Sequence, residues 1–456
     1  MDKVIIALGG SGTKIAKGVA NLATLGLLSG SGDRLRFWVI DSEEKSPAFV
    51  DLNSSVESAR LVQKQLGDGW LCPCDGALHL NPAKDPRRGN ATDWVADSRF
   101  SADAHLLGLF FSDQDRRVAL NGGFFRRAHL GHLFAEQTLG STLNADETNG
   151  PTIRHLLNNL GAQARILVVG GEHGGTGAAT RRTVLKVIEE QRTRDNEKKS
   201  WNVLSLVLGP VRQIPQVAEP DPVKAPDLTQ DQIELEKALI RAGIVIRQGE
   251  ALARTQKALF SYESCRGLAS WVVLGANVEA ASGELQYRST HQNNPDEPPE
   301  LAAATLGVSF LRGEVELDNG AVYAMNEPIV EKMPVKKRAA AASLAYREAP
   351  TWFPFDKPLK KWQPSTSVNS LLKAALPLDK TLSEKIVRDS LSEKIKECKP
   401  AVVAAAKYVL QFVSDTEKSR LASPPAGADW GAEPRASEDF AGWLQVLCAE
   451  VAKEKN

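Results

Sequence analysis

The chain has 456 residues, 42% of them hydrophobic and 25% charged, with 56 basic side chains balanced against 56 acidic ones. At about 100–200 residues per domain this length predicts two to four domains, and the composition is that of a globular chain rather than a disordered one. The zero net charge supplies no field that would favour nucleic acid, an anionic membrane or an acidic substrate, so no nucleic-acid partner is expected.

No run comes near the roughly 18 apolar residues that a membrane span needs. Met1 leads through Asp-Lys straight into an apolar run with no signal-peptide cleavage pattern. The expectation is a cytoplasmic protein without membrane insertion. Cys72, Cys74, Cys265, Cys398 and Cys448 are too scattered for a disulfide framework. Cys72-Pro-Cys74 is the one close pair, and it lacks the second pair of Cys or His that a zinc site needs.

Taken in order, Val4 to Leu8 is an apolar run that ends in Gly9-Gly10-Ser11-Gly12, followed by Ile15, Val19 and Leu22 at helical spacing. That pattern predicts a strand, a glycine turn and a helix. Phe37-Trp-Val-Ile-Asp41 predicts a second strand ending on an acid, at the edge where parallel sheets bind ligands. Residues 51–67 predict a helix closed by Gly67, and the proline-rich stretch 68–120 predicts a loop-rich excursion. Gly122-Gly123 then leads into Phe-Phe-Arg126-Arg127-Ala-His-Leu-Gly131, a second glycine turn running into a helix.

The stretch on which the reading turns is Ile166-Leu-Val-Val-Gly-Gly171-Glu-His173-Gly174-Gly175-Thr176-Gly177-Ala178-Ala179-Thr180. A buried parallel strand reads as a continuous apolar run, glycines let bare backbone N–H groups approach an anion, and a helix from about Ala178 would turn its positive end to the same place. Val184, Leu185, Val187 and Ile188 continue one apolar helix face. Val203 to Leu208 and Ser270 to Gly275 predict further strands, with a proline-rich loop at 209–230 and helical patterns over 231–258 between them. A polar loop over 283–300 precedes a helix at about Leu301 to Leu311. The segment beyond about 330 is mainly helical in pattern and ends in an amphipathic stretch, Phe440 to Val451.

The predicted fold is α/β, a parallel sheet with helices on both faces. The predicted units are a nucleotide-binding domain over 1–265, the start of a second α+β domain over 266–330, and a mainly helical C-terminal region over 331–456. Position 15 is Ile, so Gly9-Gly-Ser-Gly12 fails the dinucleotide spacing, and Lys14 is not followed by Ser or Thr as a Walker loop requires. A Ser-His-Asp triad over His129, His132 or His173 would need a nucleophile elbow that the chain lacks.

Three ordered glycine clusters resemble the nucleotide loops of the tubulin/FtsZ superfamily, in particular its divergent bacterial tubulin-like members. Gly174-Gly-Thr-Gly177 is similar to the signature loop G-G-G-T-G-[ST]-G, with His173 in place of the first glycine and Ala178-Ala179 where [ST]-G is expected. Gly9-Gly10-Ser11-Gly12 stands where that family has its first loop and Asp41 where the second follows. Gly123 to Gly131 resembles the third loop in length and terminal glycines. The resemblance covers about residues 1–215. It implies a GTP- or GDP-binding domain with Mg2+ as the accompanying ion, in which Gly9, Gly10, Ser11, Gly12, Asp41, Gly122, Gly123, Arg126, Gly171, His173, Gly174, Gly175, Thr176, Gly177 and Ala178 surround the nucleotide. It also implies head-to-tail self-association into filaments, a heterologous contact, with an acid of the next copy positioning the attacking water. Asp296 and Glu297 come nearest to that acid by order along the chain. A protein partner at the C-terminal region is a further expectation. Two alternatives stay open: a non-hydrolysing tubulin-fold scaffold that acts through partners, and a Rossmann-type NAD(P) enzyme with Asp41 on the ribose.

Overall fold

A computed structural model describes residues 1–43, 46–80, 131, 135, 152–171, 175–208, 269–274, 298–313, 322–325, 357–358, 397, 398, 400–402, 404, 405 and 408. The elements in chain order are β1 (Asp2–Leu8), α1 (Gly9–Thr24), β2 (Arg34–Ile40), α2 (Pro47–Leu66), β3 (Cys74–Leu80), α3 (Ile153–Asn158), β4 (Ala164–Gly171), α4 (Gly175–Arg194), β5 (Asn202–Leu208), β6 (Ser270–Leu274), α5 (Pro298–Arg312), β7 (Val322–Met325) and β8 (Lys357–Pro358). The strands form one sheet in the order β3-β2-β1-β4-β5-β6-β7-β8, and every neighbouring pair is parallel. Strands β6 to β8 continue this sheet past residue 265.

The apolar runs form strands because both of their faces are covered. Along β1, Val4, Ile6 and Leu8 enter one core with Ile166 and Val168 of β4, while Ile5 and Ala7 enter the other with Leu167 and Val169. Successive side chains of a strand point to opposite faces, so a strand buried on both sides has no polar position to spare. Helices α1, α2 and α5 cover one face, joined by the helical residues Cys398, Ala401, Val402, Ala405 and Tyr408; α3 and α4 cover the other.

The chain direction explains the sides taken by α1 to α4, though not that of α5, which lies between β6 and β7 on the α1 face. From β1 the strands proceed one way to β2 and β3, whereas from β4 they proceed the other way to β5 and β6. Right-handed crossovers in opposite directions place their helices on opposite faces. The reversal between β1 and β4 is a topological switch point, the place where sheets of this kind hold ligands beyond the carboxyl ends of the strands.

Several expected boundaries move. The stretch 68–120, expected to be loop, contains β3; as a half-exposed edge strand, Cys74-Asp-Gly-Ala-Leu-His-Leu80 has no continuous apolar run to announce it. Helix α2 starts at Pro47 rather than near 51, because Ser46 caps it by accepting from the Phe49 N–H at 3.3 Å and proline suits the first helical position. Helix α5 starts at Pro298, inside the expected polar loop. The glycine clusters are themselves first helical turns, at Gly9 and at Gly175 rather than Ala178. The expected loop at 209–230, the helical patterns over 231–258 and 440–451, and most of 331–456 lie outside the described residues. No described helix is long and apolar enough to cross a membrane.

Candidate functional site

Strand β1 passes into α1 without an intervening loop. Gly9 makes the junction with φ of +64°, a left-handed conformation that a side chain disfavours. The first turn of α1 then lies directly on the sheet: a Cβ on Gly12 would stand 2.5 Å from the Val169 carbonyl oxygen. Helix α4 approaches the same place from the other face. A Cβ on Gly177 would meet the Gly171 and Leu8 carbonyl oxygens, each at 3.0 Å, and one on Gly9 would meet the Gly177 nitrogen and the Thr176 Cβ, each at 3.2 Å. A Cβ on Gly171 would stand 3.1 Å from Ser11 Oγ.

Glycine is therefore what lets two helix N-termini meet over the ends of β1 and β4. The first N–H groups of a helix have no acceptor within it. Among the described residues no side chain caps α1, and neither helix has an acid in its first turn. Two helix N-termini, with their positive dipole ends, thus meet at one place, and such ends attract anions.

A third element closes one side. Gly131, a helical residue, fits so tightly against α4 that a Cβ there would lie 2.0 Å from the Gly175 carbonyl oxygen and 3.0 Å from the Ala179 Cβ. This also settles the Ala179 methyl: it is buried within α4 and directed at Gly131.

Asp41 follows the last residue of β2 and is 6% exposed, as is Thr176. Its Oδ1 accepts from the Ser42 N–H at 2.8 Å, and the Thr176 hydroxyl donates to the same oxygen at a long 3.5 Å. Burial raises the Asp41 carboxyl to about 6, assisted by the negative charge of Glu43; the N–H groups of Glu43 and Ser42 and the Thr176 hydroxyl act against the rise. The Thr180 hydroxyl on the next turn donates to the Thr176 carbonyl at 2.7 Å.

Arg181 was not among the expected site residues. It is 4% exposed on α4 and donates from Nη2 to the Gly170 carbonyl at 2.8 Å, tying the end of strand β4 to α4. A signal was present: Arg181 stands three, four and seven residues before Val184, Leu185 and Ile188, on the stripe that is otherwise apolar.

Of the expected site residues, Gly9, Gly10, Ser11, Gly12, Asp41, Gly171, Gly175, Thr176 and Gly177 belong to the elements that meet at the switch point. Ala178 is part of α4, and its side chain is not described. Gly122, Gly123, Arg126, His173, Gly174, Asp296 and Glu297 lie outside the described residues. The pair Cys72 and Cys74 lies elsewhere, before and at the start of β3, with free thiols; burial pushes Cys72 up to about 11 and Cys74 higher still, so neither is a ready nucleophile. Among the described residues no group of three or more His, Cys, Asp or Glu could hold a metal ion. The opposite edge of the sheet is different in character: there Lys3 pairs with Asp33 at 2.9 Å and Arg36 with Asp2 at 3.0 Å.

Compared with known proteins, the chain matches no protein-family model, no curated protein and no solved structure. The class that the fold defines is an α/β protein with a parallel sheet in which two strand-helix junctions meet at the switch point.

Proposed function

We propose that the chain is a tubulin-like nucleotide-binding protein whose phosphate site is the crevice between the first turns of α1 and α4. The observation that carries the reading is the convergence of Gly9, Gly12, Gly171 and Gly177, whose missing β-carbons let the first turns of α1 and α4 pack against each other and against the ends of β1 and β4. A polyphosphate is the anion that uses two such termini at once: one phosphate accepts N–H groups from each helix. The Thr176 hydroxyl, now spent on a long bond to Asp41, is positioned at the mouth of α4 to donate to the ligand.

Guanine nucleotide is the form favoured by the resemblance of Gly174-Gly-Thr-Gly177 and its companion clusters to tubulin-like loops. Bound Mg2+ would neutralise charge on the phosphate oxygens. Hydrolysis in this reading needs a second copy stacked head to tail, with Asp296 or Glu297 of that copy orienting the water. Isothermal titration with GTP, GDP, ATP and NAD tests the binding step, and absence of heat with all four overturns it. GTP turnover that rises more steeply than protein concentration tests the assembly step; turnover proportional to concentration overturns it.

A second reading has a specific observation behind it. The order β3-β2-β1-β4-β5-β6 is that of dinucleotide-binding sheets, and Asp41 directly follows β2, where such folds place the acid that holds a ribose. Preference for NAD over GTP in the same titration would select it.

A further inference from the structure

A phosphate site with a buried acid against it poses a charge problem. Asp41 is 6% exposed, and its Oδ1 faces the first turn of α4 through Thr176, at the crevice where the anion would lie. A carboxylate there repels the anion in a low-dielectric setting, where like charges a few ångströms apart interact strongly. A neutral carboxylic acid does the opposite, since its O–H is a donor.

We propose that the crevice takes up its phosphate anion together with one proton, held on the Asp41 carboxyl, so that binding is coupled to proton uptake. The inference rests on the nucleotide reading of the site. Around Asp41, burial outweighs the Glu43 and Ser42 N–H groups and the Thr176 hydroxyl, which favour the carboxylate, so the balance moves toward the neutral acid. Burial is the largest influence, and the Glu43 charge from the same segment adds to it. The facing residue of α4 is the uncharged Thr176; Arg181, farther along α4, is bonded to the Gly170 carbonyl. The first turn of α1, Gly9 to Gly12, contributes no charge, and its nearest cation, Lys14, is buried two residues on. At the start of α2, Ser46 caps its own helix. Glu44, Lys45, Glu172 and His173 lie outside the described residues, so the test has to separate them from Asp41.

With the free-site carboxyl at about 6, proton-coupled binding loses about twentyfold in affinity between about pH 5.5 and 7.5, following the protonated fraction. The experiment is calorimetric titration of the full chain with GTP in EDTA over that range, for the wild type, Asp41→Asn and His173→Gln, with inorganic pyrophosphate as a second probe. The ratio of wild-type to Asp41→Asn affinity cancels the titration of the phosphate itself. That ratio is expected to fall about twentyfold as pH rises, while His173→Gln follows the wild type. Equal pH slopes for wild type and Asp41→Asn overturn the proposal, as does a slope abolished by His173→Gln alone. If pyrophosphate shows the Asp41-dependent slope and no nucleotide binds, the proton coupling stands and the nucleotide reading falls. If neither probe binds at any pH, both fall. Carboxyl carbon NMR of Asp41, with and without pyrophosphate, supplies a second reading: its midpoint is expected to move upward on binding, and an unchanged or lowered midpoint overturns the proposal.

Discussion

Gly131 and Gly175 stand so close that no other residue fits at position 131: a Cβ there would be 2.0 Å from the Gly175 carbonyl oxygen. Gly131 is thereby set against the first turn of α4, although 43 positions separate the two glycines. A backbone carbonyl cannot yield as a flexible side chain does.

Gly131→Ala is therefore expected to destabilise the protein by about 1–3 kcal/mol, the usual cost of overpacking, and to weaken nucleotide binding by displacing α4. Gly12→Ala is expected to act alike, because its Cβ would stand 2.5 Å from the Val169 carbonyl oxygen. Thermal unfolding of both variants, beside Gly32→Ala as a control for left-handed strain without crowding, checks this; wild-type stability in Gly131→Ala would refute the close fit.

Thr176→Ala is expected to lower nucleotide affinity about threefold to tenfold, the worth of one neutral hydrogen bond, while Thr176→Ser keeps the hydroxyl and most of the affinity. Equal losses in both variants would show that the methyl group, packed in a site where Thr176 is 6% exposed, matters more than the oxygen.

Asp41 makes stability pH-dependent in a definite direction. Its carboxyl titrates at about 6 when folded, against an ordinary 3.8. The unfolded chain therefore loses this proton first as pH rises, and the contribution of Asp41 to stability declines from about pH 4 to about pH 6. The full effect is about 3 kcal/mol by the conversion of roughly 1.4 kcal/mol for each pH unit. Asp41→Asn is expected to match the wild type near pH 4 and to exceed it by up to about that amount above pH 7. Urea unfolding at the two pH values decides, and a constant difference would remove Asp41 as the source.

Tyr408 connects a distant part of the chain to the helix that carries the first glycine cluster. Its hydroxyl lies 3.2 Å from where a Cβ on Gly18 would be, and Lys17 Nζ stands 5.3 Å from its ring centre. Tyr408→Ala is expected to cost about 2–4 kcal/mol, as truncation of a buried aromatic does. A change below about 0.5 kcal/mol, the range of ordinary surface substitutions, would mean that this segment does not support the core.

The strands were legible where both faces are buried. Val4 to Leu8 and Ile166 to Val169 are continuous apolar runs, Val203 to Leu208 is broken only by the buried Ser205, and each is a strand of the parallel sheet. Strand β3 was missed because an edge strand is half exposed and mixes Asp75, Gly76 and His79 with its apolar residues. The starts of α1 and α4 were placed too late because glycine lowers helix propensity, whereas here the helices begin at glycine to bring their N-termini against other backbones.

By itself the sequence determined which segments are apolar, where glycine permits close approach, and that an acid stands at the end of β2. Those properties are local, carried by side-chain type and spacing. Only the tertiary structure decided that Gly9, Gly131, Gly175 and Gly177 share one place, that Ala179 turns its methyl to Gly131, and that Arg181 and Asp41 are both buried at the carboxyl edge of the sheet. These are consequences of strand order. Reversal of direction between β1 and β4 brings two distant strand-helix junctions side by side, and no local pattern encodes which strands become neighbours.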